Sequence, residues 1–210
     1  MVDTLTQLQY FSSHVYKIEK PEFLDAVKQI ANKELWKLKV TDKMDPVIQT
    51  STLNDPTLDD FGSYIAQTSW NILNEQGYAM NNYNTMISEL WAQQFNMYGH
   101  HDEHIHSGGS QISGFYFLEV PKNSSRVIFH DPNHSKRQIS LLERDDRVIT
   151  PASIALNYEV KPGELFLFNS WLPHSFVPNA SSLPFKFIHF NVITIPAHNH
   201  HVCQPAAEVI

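Results

Sequence analysis

Residues 111–133 read QISGFYFLEVPKNSSRVIFHDPN. Two runs rich in aromatic and β-branched residues, 111–120 and 126–130, are separated by Pro121-Lys122-Asn123-Ser124. Asp131-Pro132-Asn133 closes the second run. Short runs of this composition, cut by residues that favour turns, predict β-strands. The pattern continues at 137–141, 153–160, 164–169, 174–177 and 185–195, with Lys161-Pro162-Gly163 as a further break. Many short strands joined by tight turns predict an antiparallel sandwich or barrel.

Upstream the period changes. After Pro21, apolar residues Phe23, Leu24, Val27, Ile30, Ala31 and Leu35 recur at helical spacing as far as Leu38, and proline suits the first turn of a helix. A second helix is predicted after Asn54-Asp55-Pro56, with Leu58, Phe61, Tyr64, Ile65, Thr68, Trp70 and Leu73 as its buried stripe and Gly77 as its stop. From about Ile87 the strand pattern takes over. The expectation is one domain over 1–210: a helical and strand extension, 1–84, packed on a β-core, 85–195, with a tail at 196–210.

Composition narrows the function. The chain has 210 residues, 42% of them hydrophobic and 12% aromatic, too many for a disordered segment. No run approaches the ~18 apolar residues of a membrane span. A net charge of −7 with no Lys/Arg run speaks against nucleic acid, whose phosphates need a basic face. The first twenty residues lack the basic start and apolar stretch of a secretory signal. The single cysteine, Cys203, has no partner in the chain for a disulfide, which fits a reducing cytoplasm. The expected location is cytoplasmic.

Histidine is the anomaly. Of 12 histidines, His100, His101, His104 and His106 fall within seven residues. Side chains two apart on a strand point the same way, so His104 and His106 are placed to present two imidazoles to one metal ion. A third ligand must come from elsewhere, and His174 is the best placed, between two strand runs. Three protein ligands with open positions is the arrangement of non-haem Fe(II) oxygenases. His100-His101-Asp102 forms a competing His-x-Asp register. Asp102 and Glu103 are otherwise orienting partners or solvated charges.

The ordered set His104-Ile105-His106, Ser113-Gly114-Phe115-Tyr116-Phe117-Leu118, His130-Asp131-Pro132, residues 162–174 (PGELFLFNSWLPH) and Phe190-Asn191 resembles a family of 2-oxoglutarate/Fe(II)-dependent oxygenases known from bacteria and from phages of cyanobacteria. The likeness covers about residues 85–195. It implies a mainly β fold, a double-stranded β-helix (a cupin-like jelly roll), with iron in one mouth. It implies His104, His106 and His174 as ligands, where most of the wider superfamily has His-x-Asp. It further implies 2-oxoglutarate and O2 as co-substrates.

In such enzymes a cation about ten residues after the last histidine meets the distal carboxylate of 2-oxoglutarate. Lys186 is the only Lys or Arg downstream of His174. Counting back from Phe190-Asn191, however, the family's arginine aligns with Phe185. A shift of one residue reverses a strand side chain, so a bulge must return Lys186 to the pocket or another group such as Arg126 must serve. Ser113 and Asn191 are expected to face the co-substrate. Phe117 stands where related prolyl hydroxylases carry a pocket tyrosine. Trp171 and Phe168 are expected in the core, His130 and His189 as hydrogen-bonded core histidines, and His198, His200 and His201 in an exposed tail.

The sequence thus predicts an Fe(II)- and 2-oxoglutarate-dependent dioxygenase acting on a small-molecule or peptidyl substrate. Two alternatives stand beside it. One is a cupin-type metalloenzyme without 2-oxoglutarate, disfavoured because Gly109 and Ser110 stand where its glutamate would be expected. The other is a non-catalytic jelly-roll binding module.

Overall fold

The computed structural model describes residues 11–38, 45–138 and 141–197. His198, His200, His201 and Cys203 lie outside the described residues. Ten strands and three helices follow in the order β1 (Val15–Glu19), α1 (Leu24–Lys37), β2 (Val47–Gln49), α2 (Asp59–Glu75), β3 (Tyr83–Phe95), β4 (His101–His104), β5 (Ser110–Glu119), β6 (Val127–His130), α3 (His134–Arg137), β7 (Ala155–Tyr158), β8 (Glu164–Asn169), β9 (His174–Phe176) and β10 (Phe185–Pro196). The fold is mainly β, with all strand pairs antiparallel. A six-stranded sheet, β1-β8-β5-β10-β3-β2, faces a four-stranded sheet, β4-β9-β6-β7. The sheets form a jelly-roll sandwich and do not close into a barrel.

The helices begin as local chemistry dictates. Pro21 and Pro56 open short 3-10 turns that lead into α1 and α2. The Asp55 carboxylate accepts the Thr57 N–H at 3.1 Å, satisfying a donor that the helix start leaves free. After α2 the chain turns at Gly77, whose φ of +94° suits a residue without a Cβ. Both helices lie on the outer face of the large sheet. Val27, Ile30 and Ala31 of α1 and Phe61, Ile65 and Leu73 of α2 share a core with Ile112, Tyr116, Leu165, Ile188 and Phe190.

Alternation along the strands sends the other side chains inward. Phe115, Phe117, Phe166, Phe168, Phe185 and Phe187 meet Phe95, Phe129 and Phe176 between the sheets, each at most 3% exposed. At roughly 1.5–3 kcal/mol for each large apolar side chain removed from water, this aromatic layer is a main source of stability. Gly114 belongs to the same logic: a Cβ there would overlap the Phe190 ring and the Phe166 carbonyl, so only glycine lets β5 run beneath Phe190.

Two expectations need correction. Among the described residues of the predicted strand over 137–141 none is in a strand: Arg137 ends the short helix α3, and Leu141 is exposed. The strands within the N-terminal extension, β1 and β2, form the two edges of the large sheet. The long strand β3 begins at Tyr83, before the change of pattern at Ile87. Its polar, exposed first half hides the alternation. No helix among the described residues is long and apolar enough to cross a membrane.

Candidate metal centre

The centre is built by strand pairing. β4 runs antiparallel to β9, and His104 stands opposite His174. The next registered pair is His101 and Phe176, three residues along β4 but two along β9, so β4 carries one extra residue. That bulge turns both His101 and His104 inward, with their rings 5.6 Å apart. His106 follows just beyond β4, its backbone N–H donating to the Ser170 carbonyl at 2.9 Å. The ligand atoms of His104, His106 and His174 all lie within 4.8 Å of one another. His174 is fully buried, while His104 and His106 are half-buried and leave one side of the group open.

Hydrogen bonds fix the tautomers. His104 Nδ1 lies 2.7 Å from the Asp102 carbonyl, and His174 Nδ1 lies 2.9 Å from the Leu172 carbonyl. A carbonyl only accepts, so each Nδ1 carries the proton and each Nε2 is a bare lone pair. The Nε2 atoms of His174 and His106 are 3.2 Å apart. Burial, against the backbone bond to Leu172 and together with the neighbouring imidazoles, pushes His174 down to about 3. Burial and the nearby histidines push His106 down to about 4. Neutral imidazoles converging without enough protons to pair them are matched to a cation, and an imidazole set suits iron.

The competing register is not assembled. Asp102 has a 96% exposed side chain, His100 lies 3.7 Å from it at the surface, and only the Asp102 backbone serves the site. Glu103 points to the outer face of the small sheet, where it pairs with Arg137 at 2.8 Å and faces His130 at 3.6 Å.

Ser113 and Asn191 lie together on the inner face. The Ser113 hydroxyl donates to Asn191 Oδ1 at 2.6 Å and sits 2.9 Å from the Ser170 hydroxyl, while Asn191 Nδ2 donates to Glu89 at 2.5 Å. Lys186 is elsewhere. It points to the helix side of β10, where Nζ donates to Asn32 at 2.8 Å and pairs with Glu119 at 3.3 Å. A register shift does occur beside it, but the unpaired residue is Leu118 of β5, so Lys186 stays on the outer face. Arg126 is exposed and lines a surface groove with Pro121 and Val177. Phe185 and Phe187 occupy the inner positions instead.

His189 is the group that sequence reasoning undervalued. It lies inward on β10, 3% exposed, with Nε2 2.9 Å from His106 Nε2 and its ring stacked on Trp91 at 4.3 Å. Its even spacing from Asn191 carried the signal. His130 bonds the Ser175 hydroxyl at 2.8 Å on the outer face. Phe168 is buried as expected, but Trp171 is 45% exposed.

Comparison with known proteins agrees with the resemblance. Residues 89–191 match the model of the family described as "Putative 2OG-Fe(II) oxygenase". The matched stretch is a 2OG-Fe(II) oxygenase domain. Among solved structures, the chain is similar to AviO1 from Streptomyces viridochromogenes (TM-score 0.58, 12% identity, 92% of this chain and 93% of that one). It is also similar to a prolyl-4-hydroxylase from Pseudomonas putida (0.56, 11%, 86% and 92%). A third likeness is the viral collagen prolyl hydroxylase of Paramecium Bursaria Chlorella virus-1, solved as a 2OG complex (0.54, 11%, 85% and 94%). At such identities these likenesses show the fold. No curated protein matches in sequence.

The oxygenase domain carries a histidine triad able to bind iron, and Fe(II), 2-oxoglutarate and O2 are the reactants of that family. Beside His106 opens a cavity of about 480 Å³, lined by Tyr78, Met80, Tyr83, Gln111, Asn169 and Trp171 among others. Trp171, expected in the core, borders this cavity because it lies in the turn after β8 rather than on the strand.

Proposed function

We propose that the chain is an Fe(II)- and 2-oxoglutarate-dependent dioxygenase that hydroxylates a substrate with release of succinate and CO2. The observation that carries this reading is the convergence of three imidazoles in which His104 and His174 have their Nδ1 protons tied to carbonyls and their Nε2 lone pairs free. His104, His106 and His174 would hold the metal. With Fe(II) and 2-oxoglutarate bound, O2 would be the oxidant and 2-oxoglutarate the co-reductant that leaves as succinate and CO2, one oxygen of O2 entering a C–H bond and the other entering succinate.

The protein's own part is geometric. The Asp102 and Leu172 carbonyls hold two rings in one tautomer, and Phe115 and Phe168 pack at 5.4 and 4.7 Å on His174, keeping water from its buried side. The cavity beside His106 is the proposed substrate entrance. No Asp, Glu, Lys or Arg lines it, which suits an uncharged reacting group.

The test is to load the protein anaerobically with Fe(II), add 2-oxoglutarate, admit O2 and measure succinate. Release above a His174→Ala control supports the reading, and candidate substrates added in turn should raise it. Absence of both 2-oxoglutarate binding and succinate, with those substrates present, would overturn it.

One observation favours a second reading. Phe185 and Phe187 line the inner face where the family pattern asks for a cation, and Lys186 is engaged outside. A three-histidine oxygenase that works without 2-oxoglutarate fits that apolar wall. Oxygen uptake with substrate and Fe(II) but no 2-oxoglutarate would select it.

A further inference from the structure

His189 and Trp91 are directly opposite one another in the β10–β3 pairing and stack with an interplanar angle of 16°. Both bear a buried nitrogen without a partner: His189 Nδ1 and Trp91 Nε1. The neighbouring Ser113–Asn191–Glu89 chain on this inner face is satisfied by contrast. Two orphaned nitrogens on adjacent rings, next to a metal-ligating histidine, are unusual because buried polar groups are nearly always paired.

The tautomer of His189 sharpens the point. In the structure Nε2 faces His106 Nε2 at 2.9 Å, which is one hydrogen bond if one of the two nitrogens is protonated. A metal on His106 Nε2 takes that lone pair and leaves no proton there. If the His189 proton is on Nε2, it then loses its acceptor; if it is on Nδ1, it never had one. Either way, metal binding leaves a buried N–H of His189 unpaired, alongside the unpaired Trp91 N–H. His189 lies outside the group whose ligand atoms are mutually within 4.8 Å, so it is not a fourth member of that set. With a metal on His106, each of the two stacked rings therefore carries a buried N–H without an acceptor.

We propose that Trp91 and His189 form a neutral donor site for a carboxylate that binds the metal's open side. This rests on the oxygenase reading above and supplies what that reading lacks, a contact for the co-substrate beside the triad, since Lys186 is engaged on the outer face and Lys17, at the β1 edge, is paired with Glu164. The anion is held by N–H dipoles. The aromatic stack keeps their direction fixed, with Phe115 edge-on to His189 at 5.3 Å. Trp91 and His189 are positioning residues for the co-substrate.

The test uses Co(II)-loaded full-length protein, titrated anaerobically with oxalate and, separately, with 2-oxoglutarate, following the visible Co(II) bands. Trp91→Phe keeps an aromatic ring for the stack and removes one N–H; His189→Phe removes the other. Thermal melting confirms that each variant folds, and His189→Gln, which restores an N–H, stands in if the phenylalanine variant does not. The expected result is Co(II) affinity within about twofold of the parent and oxalate affinity reduced on the order of tenfold or more in each variant, the scale of one hydrogen bond to a charged group. Unchanged oxalate affinity in both variants overturns the proposal, as does loss of Co(II) itself or a parent protein that does not bind oxalate. A parent that binds oxalate but not 2-oxoglutarate overturns the dioxygenase reading and leaves the donor site standing.

Discussion

His104 and His174 face each other across the β4–β9 pair with ring centroids 4.4 Å apart, although 70 residues separate them in the chain. His174 is fully buried and its Nδ1 is committed to the Leu172 carbonyl. His174→Ala should therefore abolish tight metal binding, weakening Mn(II) by more than the 10- to 100-fold typical of losing a group that merely orients a ligand. Isothermal titration of folded protein checks this. The rise in melting temperature that Mn(II) gives the parent should vanish with it.

Lys186→Met tests a different kind of residue. Lys186 ties β10 to α1 through Asn32 and to β5 through Glu119, with its side chain mostly covered. The change should lower stability by about 1 kcal/mol in urea unfolding. Metal and 2-oxoglutarate affinities should not move. A large loss of 2-oxoglutarate affinity would return Lys186 to the role its place in the sequence suggests.

Acidity should unfold the metal-free protein through its own site. Burial is the first cause that lowers His174 to about 3, His106 to about 4 and His189 well below the usual 6.5. The unfolded chain then binds more protons than the folded one between these values, so stability rises with pH in that window. Stability should be level above about pH 6.5 and fall steadily toward pH 4. Chemical denaturation at a series of pH values would show it, and the slope should shrink in His189→Phe.

Gly114→Ala probes the fold apart from the site. An added methyl meets the Phe190 ring and the Phe166 backbone carbonyl, and the carbonyl cannot swing aside without breaking the sheet. A loss of about 1–3 kcal/mol is expected, read from denaturant midpoints.

What the sequence disclosed follows physical locality. Strand β8 matched its predicted span because six consecutive buried residues between a Pro-Gly turn and a tryptophan turn admit little else. His104, His106 and His174 were legible from their order, and their convergence needed only β-pairing. Lys186 was not, because its face depends on which strand carries an extra residue, and β5 rather than β10 carries it. His189 was passed over because a histidine within an apolar strand looks the same in sequence whether it fills space or meets a ligand. Trp91 lies on β3, whose polar first half gave no alternation to read.

The phenylalanine layer beneath the histidines has a kinetic consequence. Packed between the sheets with almost no exposed surface, it closes the inner side of the site, so among the described residues the triad is approached past the half-buried His104 and His106. A site with one doorway imposes an order: what enters last must leave first. Product held in the cavity at Trp171 should block the next co-substrate, and turnover would then be paced by departure at the mouth rather than by events at the histidines.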